Sequence, residues 1–324
     1  MENEILSLKT HPHHTNLVFF GGTENKLCLL DTQTGTVREL DVFEDSILSI
    51  KIHSALVLIV CSFRELKTYD CTDMATEEPP LLSSFVFEDD VEWCELCQNK
   101  IITGHKDASV AVIDLQSSNL EFLYGDGNML TGCSVLSPDN NVRILASSSG
   151  GTTFVWAEDP PRQLAKYTDQ KRRVAISADI HPNGQIAVLG YEDGSVAVFH
   201  MERGKIVQEL PKHTDSVERV SFFGLGDREG VVSCCLGGEI NVSWLNAKRP
   251  AKKYTIPSGI SVMAAAENGV FYVGCIEGSV HKLDIKNGVL LKIRDETGTP
   301  ILSVELTQNT ILLGTDTVEE LKLH

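Results

Sequence analysis

The chain contains no run of 18 or more apolar residues, so no segment has the length and hydropathy to cross a membrane as a helix. Its opening residues, MENEILSL, lack the basic stretch and apolar stretch that begin a secretory signal, and we expect an intracellular protein. Cysteine is sparse, nine in 324 residues, odd in number and scattered. That pattern argues against a disulfide scaffold and suits reduced thiols. Basic residues are in deficit: 28 Lys and Arg against 45 Asp and Glu, a net charge of −17. Such a balance disfavours nucleic acid and anionic membrane as partners and favours a basic one. No glycine-rich loop follows a strand and opens a helix, so nucleotide binding has no support, and GLGDREG from Gly224 reads as a turn between strands. Cys94 and Cys97 of WCELC have no second pair at zinc spacing, and residues three apart on a strand point to opposite faces. We expect no metal and no cofactor.

What the sequence does have is repetition. VFEDDVEW begins at Val86 and VFEDSILS at Val42, 44 residues earlier, with the same four letters at the head of each. Aligning on this motif exposes a unit of about 40 residues with four short strands, A to D, separated by turn signals. Unit five, residues 174–210, is clearest. Its strand A ends at IHP, NGQ turns into strand B (IAVLGY), and EDGS turns into strand C (VAVFHM). ERGK then leads to strand D, IVQEL. The Asp-Gly pair is the chemistry of a tight turn. We count eight A–B–C sets and seven D strands; the last set, ILSVELTQNTILLGTDTVEELKLH, stops after C. A four-stranded sheet of this kind cannot cover both its faces alone, but stacked neighbours cover each other.

The segments YEDGSVAVFH and HTDSVERVSF, the strand ends TYD and VID, and FVW at Trp156 resemble the WD-repeat family, and the likeness runs over essentially the whole chain. Trp156 and Trp244 hold the family's usual tryptophan place on strand C, and no unit ends in Trp-Asp. The resemblance implies an all-β propeller of four-stranded blades. Eight units lead us to expect eight blades, with seven, the family's commoner number, as the alternative. A single domain spanning 1–324 is expected. The missing last D strand is either supplied by the N-terminal segment or absent. In the family, a histidine placed like His213 joins a structural hydrogen-bond network with a turn aspartate, a position matched here by Asp193 and Asp107.

Other candidate chemistry reads as structural or solvated. HPHH carries His11, His13 and His14, but its echo IHPNGQ at His181 marks it as an A–B turn. Cys234 and Cys235 fall in or at a strand B and read as core. The basic runs KRR (171–173) and AKRPAKK (247–253) fall in loops. The acidic clusters also fall in loops, so their carboxylates are solvated and catalysis is not expected.

Propeller loops segregate by face, with D–A and B–C loops on one side. Asp41, Glu44 and Asp45 precede unit two; Glu88, Asp89 and Asp90 precede unit three, and Glu92 begins its strand A. Asp126 precedes unit four, Asp215 and Glu218 flank the start of unit six, and Asp295 and Glu296 precede unit eight. The B–C turns add Glu24, Glu65, Glu192 and Glu277. Acid therefore gathers on one side, where it steers a basic partner.

FVFEDDVEWCEL, VLGYEDGSVAVF and DSVERVSFF are similar to stretches of a narrower family. It contains animal angio-associated migratory cell protein and a yeast ribosome-assembly chaperone. That resemblance implies a non-catalytic chaperone for the basic N-terminal segment of universal large-subunit protein sixteen. By position, Glu44, Asp45, Glu88, Asp89, Asp90 and Glu92 are the expected partner-binding residues, with Asp215, Asp295 and Glu296 in second place. We expect a monomer in the cytoplasm, with nuclear access open. The alternative is a WD-repeat scaffold within a multiprotein complex.

Overall fold

The computed structural model describes residues 3–74, 79–138, 141–158, 160–245, 252–307 and 310–323. These residues form eight antiparallel sheets, seven of four strands and one of three, and no α-helix. The fold is an eight-bladed β-propeller. Blades 1 to 8 span 5–42, 47–86, 91–124, 130–168, 175–210, 219–255, 260–294 and 303–322. The eight-unit count holds, and the seven-blade alternative does not. The eighth sheet has three strands among the described residues. The N-terminal segment does not complete it, because Ile5–Thr10 is strand A of blade 1, paired with Leu17–Gly22.

The chain divides into two compact units. One comprises Met1–His105, Ala111–Glu121 and Thr299–His324; it holds blades 8, 1 and 2 and strands A and B of blade 3. The other comprises Lys106–Val110 and Phe122–Gly298 and holds blades 4 to 7.

Strand B shows why neighbouring blades stack. In Val57–Ser62, Lys100–His105, Arg143–Ser148 and Ile186–Tyr191, every residue after the first is buried. A strand buried on both faces loses the in–out alternation of a one-sided sheet and reads as a continuous apolar run. The clusters in between draw on two blades. Phe19, Leu27 and Leu29 of blade 1 pack with Ile50, Leu58 and Val60 of blade 2. Val232 and Ile240 of blade 6 pack with Phe271 and Val273 of blade 7.

Polar links on strand A tie blade to blade, and those of blades 4 and 5 fall at the same place in the repeat. The Ile50 amide donates to Ser7 Oγ at 2.9 Å, the Ile180 amide to Ser134 Oγ at 3.0 Å, and the Phe222 amide to Asp179 Oδ2 at 2.8 Å. Hydroxyls also reach forward: Thr131 to the Ala175 carbonyl at 2.6 Å, Ser177 to Val217 at 2.7 Å, and Ser303 to Ile5 at 3.0 Å. In six blades the pairing of strand A shifts register at its start.

Two glycines are dictated by close approach. Gly104 ends strand B of blade 3, and a Cβ there would sit 2.1 Å from the Trp93 indole. Gly194 closes the EDGS turn at φ 87°, in the left-handed region, and a Cβ would lie 2.6 Å from the His213 carbonyl oxygen. Replacing Gly194 with Ala combines both costs, so Gly194→Ala is expected to lose about 2 kcal/mol. The check is a lowered denaturation midpoint with an unchanged circular dichroism spectrum.

Candidate functional site: the acidic loops of blades 1 and 2

The repeated tetrapeptide is repeated in space. Phe43 follows strand D of blade 1 (Thr36–Val42), and Phe87 follows strand D of blade 2 (Leu81–Val86); both rings are buried. Each Phe amide donates to the B–C turn of its own blade, Phe43 to Asn25 O and Phe87 to Arg64 O, both at 2.9 Å. A buried ring and a fixed amide leave the next two side chains no inward direction. Glu44, Asp45, Glu88 and Asp89 are accordingly exposed.

Two cations thread this acid. Arg64, in the B–C turn of blade 2, pairs with Asp90 through Nε at 2.9 Å. The Asp90 hydrogen bond, followed by the charges of Asp90, Asp45 and Asp89, raises its already high pKa. Lys67 lies 3.2 Å from Asp41 and 4.0 Å from Glu65, with its ammonium 4.3 Å from the centre of the Phe43 ring. The blade 1 loop also touches blade 2 through the Glu44 amide, which donates to Oε2 of Glu65, at the head of strand C, at 3.2 Å. Asp41 belongs to strand D rather than to the loop. It accepts from the Tyr69 hydroxyl at 2.5 Å. Burial works against its charge, but the Tyr69, Val42 and Lys67 donors outweigh it and hold its carboxyl below the usual range. Burial first, then Asp41, pushes the Tyr69 phenol up.

Of the expected residues in this unit, Asp90 has its charge compensated by Arg64, and Glu92 is exposed on strand A of blade 3. Glu44, Asp45, Glu88 and Asp89 carry no ion pair among the described residues. In the other unit, Asp215 is exposed and its carboxylate accepts from the Ser216 amide at 2.8 Å. Asp295 and Glu296 share Lys292 at 3.4 and 2.8 Å, so both charges are partly neutralised. Arg64 and Lys67 went unrecognised in sequence. Their signal is SFRELK, which sets basic residues beside Glu65 in the turn opposite the acidic loop.

The remaining candidates resolve locally. His11 is buried; its Nδ1 accepts from the His13 and His14 amides at 3.2 and 3.0 Å, and its Nε2 meets Cys71 O at 3.0 Å. His13 and His14 face solvent, so HPHH is turn chemistry. Asp193 and Asp107 each brace their own turn through the amides of Ser195 and Ser109. The His213 ring bonds Ser233 Oγ in its own blade at 2.7 Å and faces Glu239. KRR is not uniformly solvated: Arg173 is buried between Asp169 and Glu209 and stacks 4.4 Å from the Tyr191 ring centre. Residues 247–251 of AKRPAKK lie outside the described residues. Lys252 donates to Gly288 O and Lys253 pairs with Glu239.

No family model matches the chain. A WD repeat-containing protein 26 homolog from Arabidopsis thaliana is 28% identical over 144 residues, 44% of this chain and 23% of that protein. The meiotic recombination protein rec14 of Schizosaccharomyces pombe is 30% identical over 89 residues, 28% of this chain and 29% of that protein. The chain thus matches about a quarter of the length of these curated relatives. Solved structures agree over the whole chain. Sqt1 of Saccharomyces cerevisiae superposes with a TM-score of 0.84 at 17% identity, covering 99% of this chain and 97% of that one. Chaetomium thermophilum Sqt1, bound to the N-terminus of the ribosomal protein L10, gives 0.84 at 15% identity with the same coverage. The computationally designed Ika8 gives 0.84 at 18%, covering 100% and 97%.

The Tyr69–Asp41 bond sets a pH dependence. A depressed folded pKa contributes stability above the ordinary carboxylate value of about 3.8, and that contribution is lost as pH falls through the folded value. Tyr69→Phe is expected to cost about 1.5 kcal/mol at pH 7. Denaturant titrations from pH 7 to 2.5 should show the cost of this variant shrinking below pH 4.

Proposed function

We propose that this chain, a WD-repeat β-propeller by fold, is a non-catalytic binding protein that captures the basic N-terminal segment of a large-subunit ribosomal protein during ribosome assembly. The observation that carries the reading is the pair of pinned loops. Glu44, Asp45, Glu88 and Asp89 are exposed and without ion pairs among the described residues, beside Asp90, whose charge Arg64 already uses. Carboxylates on fixed backbone accept Arg and Lys side chains with little ordering cost, and Arg engages them bidentately. The likeness to a propeller bound to a ribosomal protein N-terminus supports the same client class. Universal large-subunit protein sixteen is the client that the sequence resemblance names. In this reading the protein works as a cytoplasmic monomer with access to the nucleus. It uses no cofactor, and it touches neither nucleic acid nor membrane.

Its test is binding of a synthetic basic N-terminal ribosomal-protein peptide, followed by calorimetry. Reversing Glu44, Asp45, Glu88 and Asp89 to Lys should weaken binding on the order of 100-fold and leave the melting temperature unchanged. Wild-type affinity should fall steeply between low and high salt. A well-folded variant with undiminished affinity refutes the assignment.

A multi-partner scaffold is the second reading. It is favoured by the outer edge of blade 2, where Leu81, Leu82 and Val86 are 55%, 55% and 73% exposed. Salt-resistant capture of several stoichiometric proteins, abolished by Val86→Lys, would support it.

A further inference from the structure

A second constellation lies in the other unit, within blade 6. The D–A loop before it carries His213, its B–C turn carries Cys235, and Glu239 opens its strand C. All three are buried, and their ligand atoms lie within 4.8 Å of one another. The sequence offered each of them only a structural part: a network histidine, a core cysteine and an unremarked glutamate.

The histidine supplies the independent observation. Its side chain has no exposed surface. Nε2 lies 2.7 Å from Ser233 Oγ and 3.3 Å from the Asn241 amide, which fixes the ring; ligation through Nδ1 uses the tautomer in which Nε2–H donates to Ser233 Oγ. Nδ1 then points at Glu239 Oε2, 3.8 Å away, and has no hydrogen-bond partner. A buried ring nitrogen left unpaired calls for an explanation. The separation is too long for a hydrogen bond between the two groups. Burial, the largest influence, holds the imidazole neutral, with its pKa lowered to about 4, although Glu239 opposes the shift.

The other two donors are held by their neighbours. Glu239 spends Oε1 on Lys253 at 2.5 Å and receives the Thr214 amide on Oε2 at 3.2 Å, which keeps the carboxylate ionised. Lys253 is half exposed and leaves Oε2 to the interior. Burial raises the Cys235 thiol and the amides of Glu239 and Gly237 only partly oppose it, so binding a cation releases the thiol proton. Donor atoms around a tetrahedral zinc stand roughly 3.5 Å apart, so closing this set asks for a shift of about 1 Å. Nitrogen, sulfur and carboxylate oxygen together match zinc rather than magnesium or calcium. The bond from Nε2 to Ser233 is the outer-shell anchor that a metal-bound imidazole uses. Leu236 and Gly237, next to Cys235, are exposed.

We propose that His213 Nδ1, Cys235 Sγ and Glu239 Oε2 bind a zinc-class divalent cation, which clamps the D–A loop of blade 6 to its own B–C turn. The inference is independent of the docking function.

The experiment uses the full chain, stripped with chelator and titrated with Co²⁺. One equivalent should produce a near-ultraviolet thiolate-to-cobalt band that Zn²⁺ abolishes by displacement. Cys235→Ala should lose the band. Glu239→Gln, which keeps an acceptor for Lys253 and Thr214, should bind at least about tenfold more weakly. Zn²⁺ should raise the melting temperature of the wild type and not of Cys235→Ala. A wild type without the band overturns the proposal. So does a full band in Cys235→Ala, which would place the ion on another of the nine cysteines. Should Cys235→Ala fail to fold, unchanged affinity in Glu239→Gln overturns it equally.

Discussion

The structure depends on one constraint: each blade is a small antiparallel sheet whose inner strands are apolar on both faces. Val57–Ser62 and Ile186–Tyr191 are buried along nearly their whole length, and no single sheet can do that for itself. Each blade is therefore stable only against a neighbour, and the repeat follows from that need. The polar links on strand A then set the angle between neighbours. A hydroxyl or carboxylate of strand A meets an amide or carbonyl of the next blade. Asp179 is the costliest of these links: burial raises its carboxyl despite the Phe222 amide.

The same constraint makes the acidic surface. Packing consumes the apolar residues of strands A to C and leaves the loops between blades as the place where charge can go without desolvation. Phe43 and Phe87 fill the seam beneath, and their amides lock onto the B–C turns, so the Glu-Asp pairs after them project from rigid backbone. Rigidity matters to an ionic docking surface, because a carboxylate that is already fixed loses little freedom on meeting a guanidinium. The surface is also tempered: Arg64 and Lys67 compensate Asp90, Asp41 and Glu65, while Glu44, Asp45, Glu88 and Asp89 have no ion pair among the described residues.

Blade 6 shows how the repeat accommodates a different chemistry. Its turn reads Leu-Gly-Gly-Glu where blade 5 has Glu-Asp-Gly-Ser. The turn aspartate is gone, and a glutamate at the head of strand C faces the histidine instead. That exchange, with Cys235 one residue beyond strand B, gathers three donors where blade 5 keeps an exposed Asp193 braced by Ser195 and Lys212.

Local chemistry in the sequence determined a good deal. The period of about 40 residues, the strand positions, the Asp-Gly turn of blade 5 and the missing fourth strand of the last blade were all legible. So were the exposure of the Glu-Asp pairs and the turn role of HPHH. These are short-range properties: alternation, turn propensity and a side chain's own backbone bonds. Tertiary structure decided the pairings. Nothing local links Arg64 to Asp90, 26 residues on, or Tyr69 to Asp41, 28 residues back. Arg173 sits in a run that reads as solvated, yet it is buried against Glu209 of the next strand D and the Tyr191 ring. The approach of His213 to Glu239 likewise requires strands B and C to bring a turn back beneath a loop. Which charges are free and which are spent is a property of residues far apart in the chain, and only the stacking of blades fixes those distances.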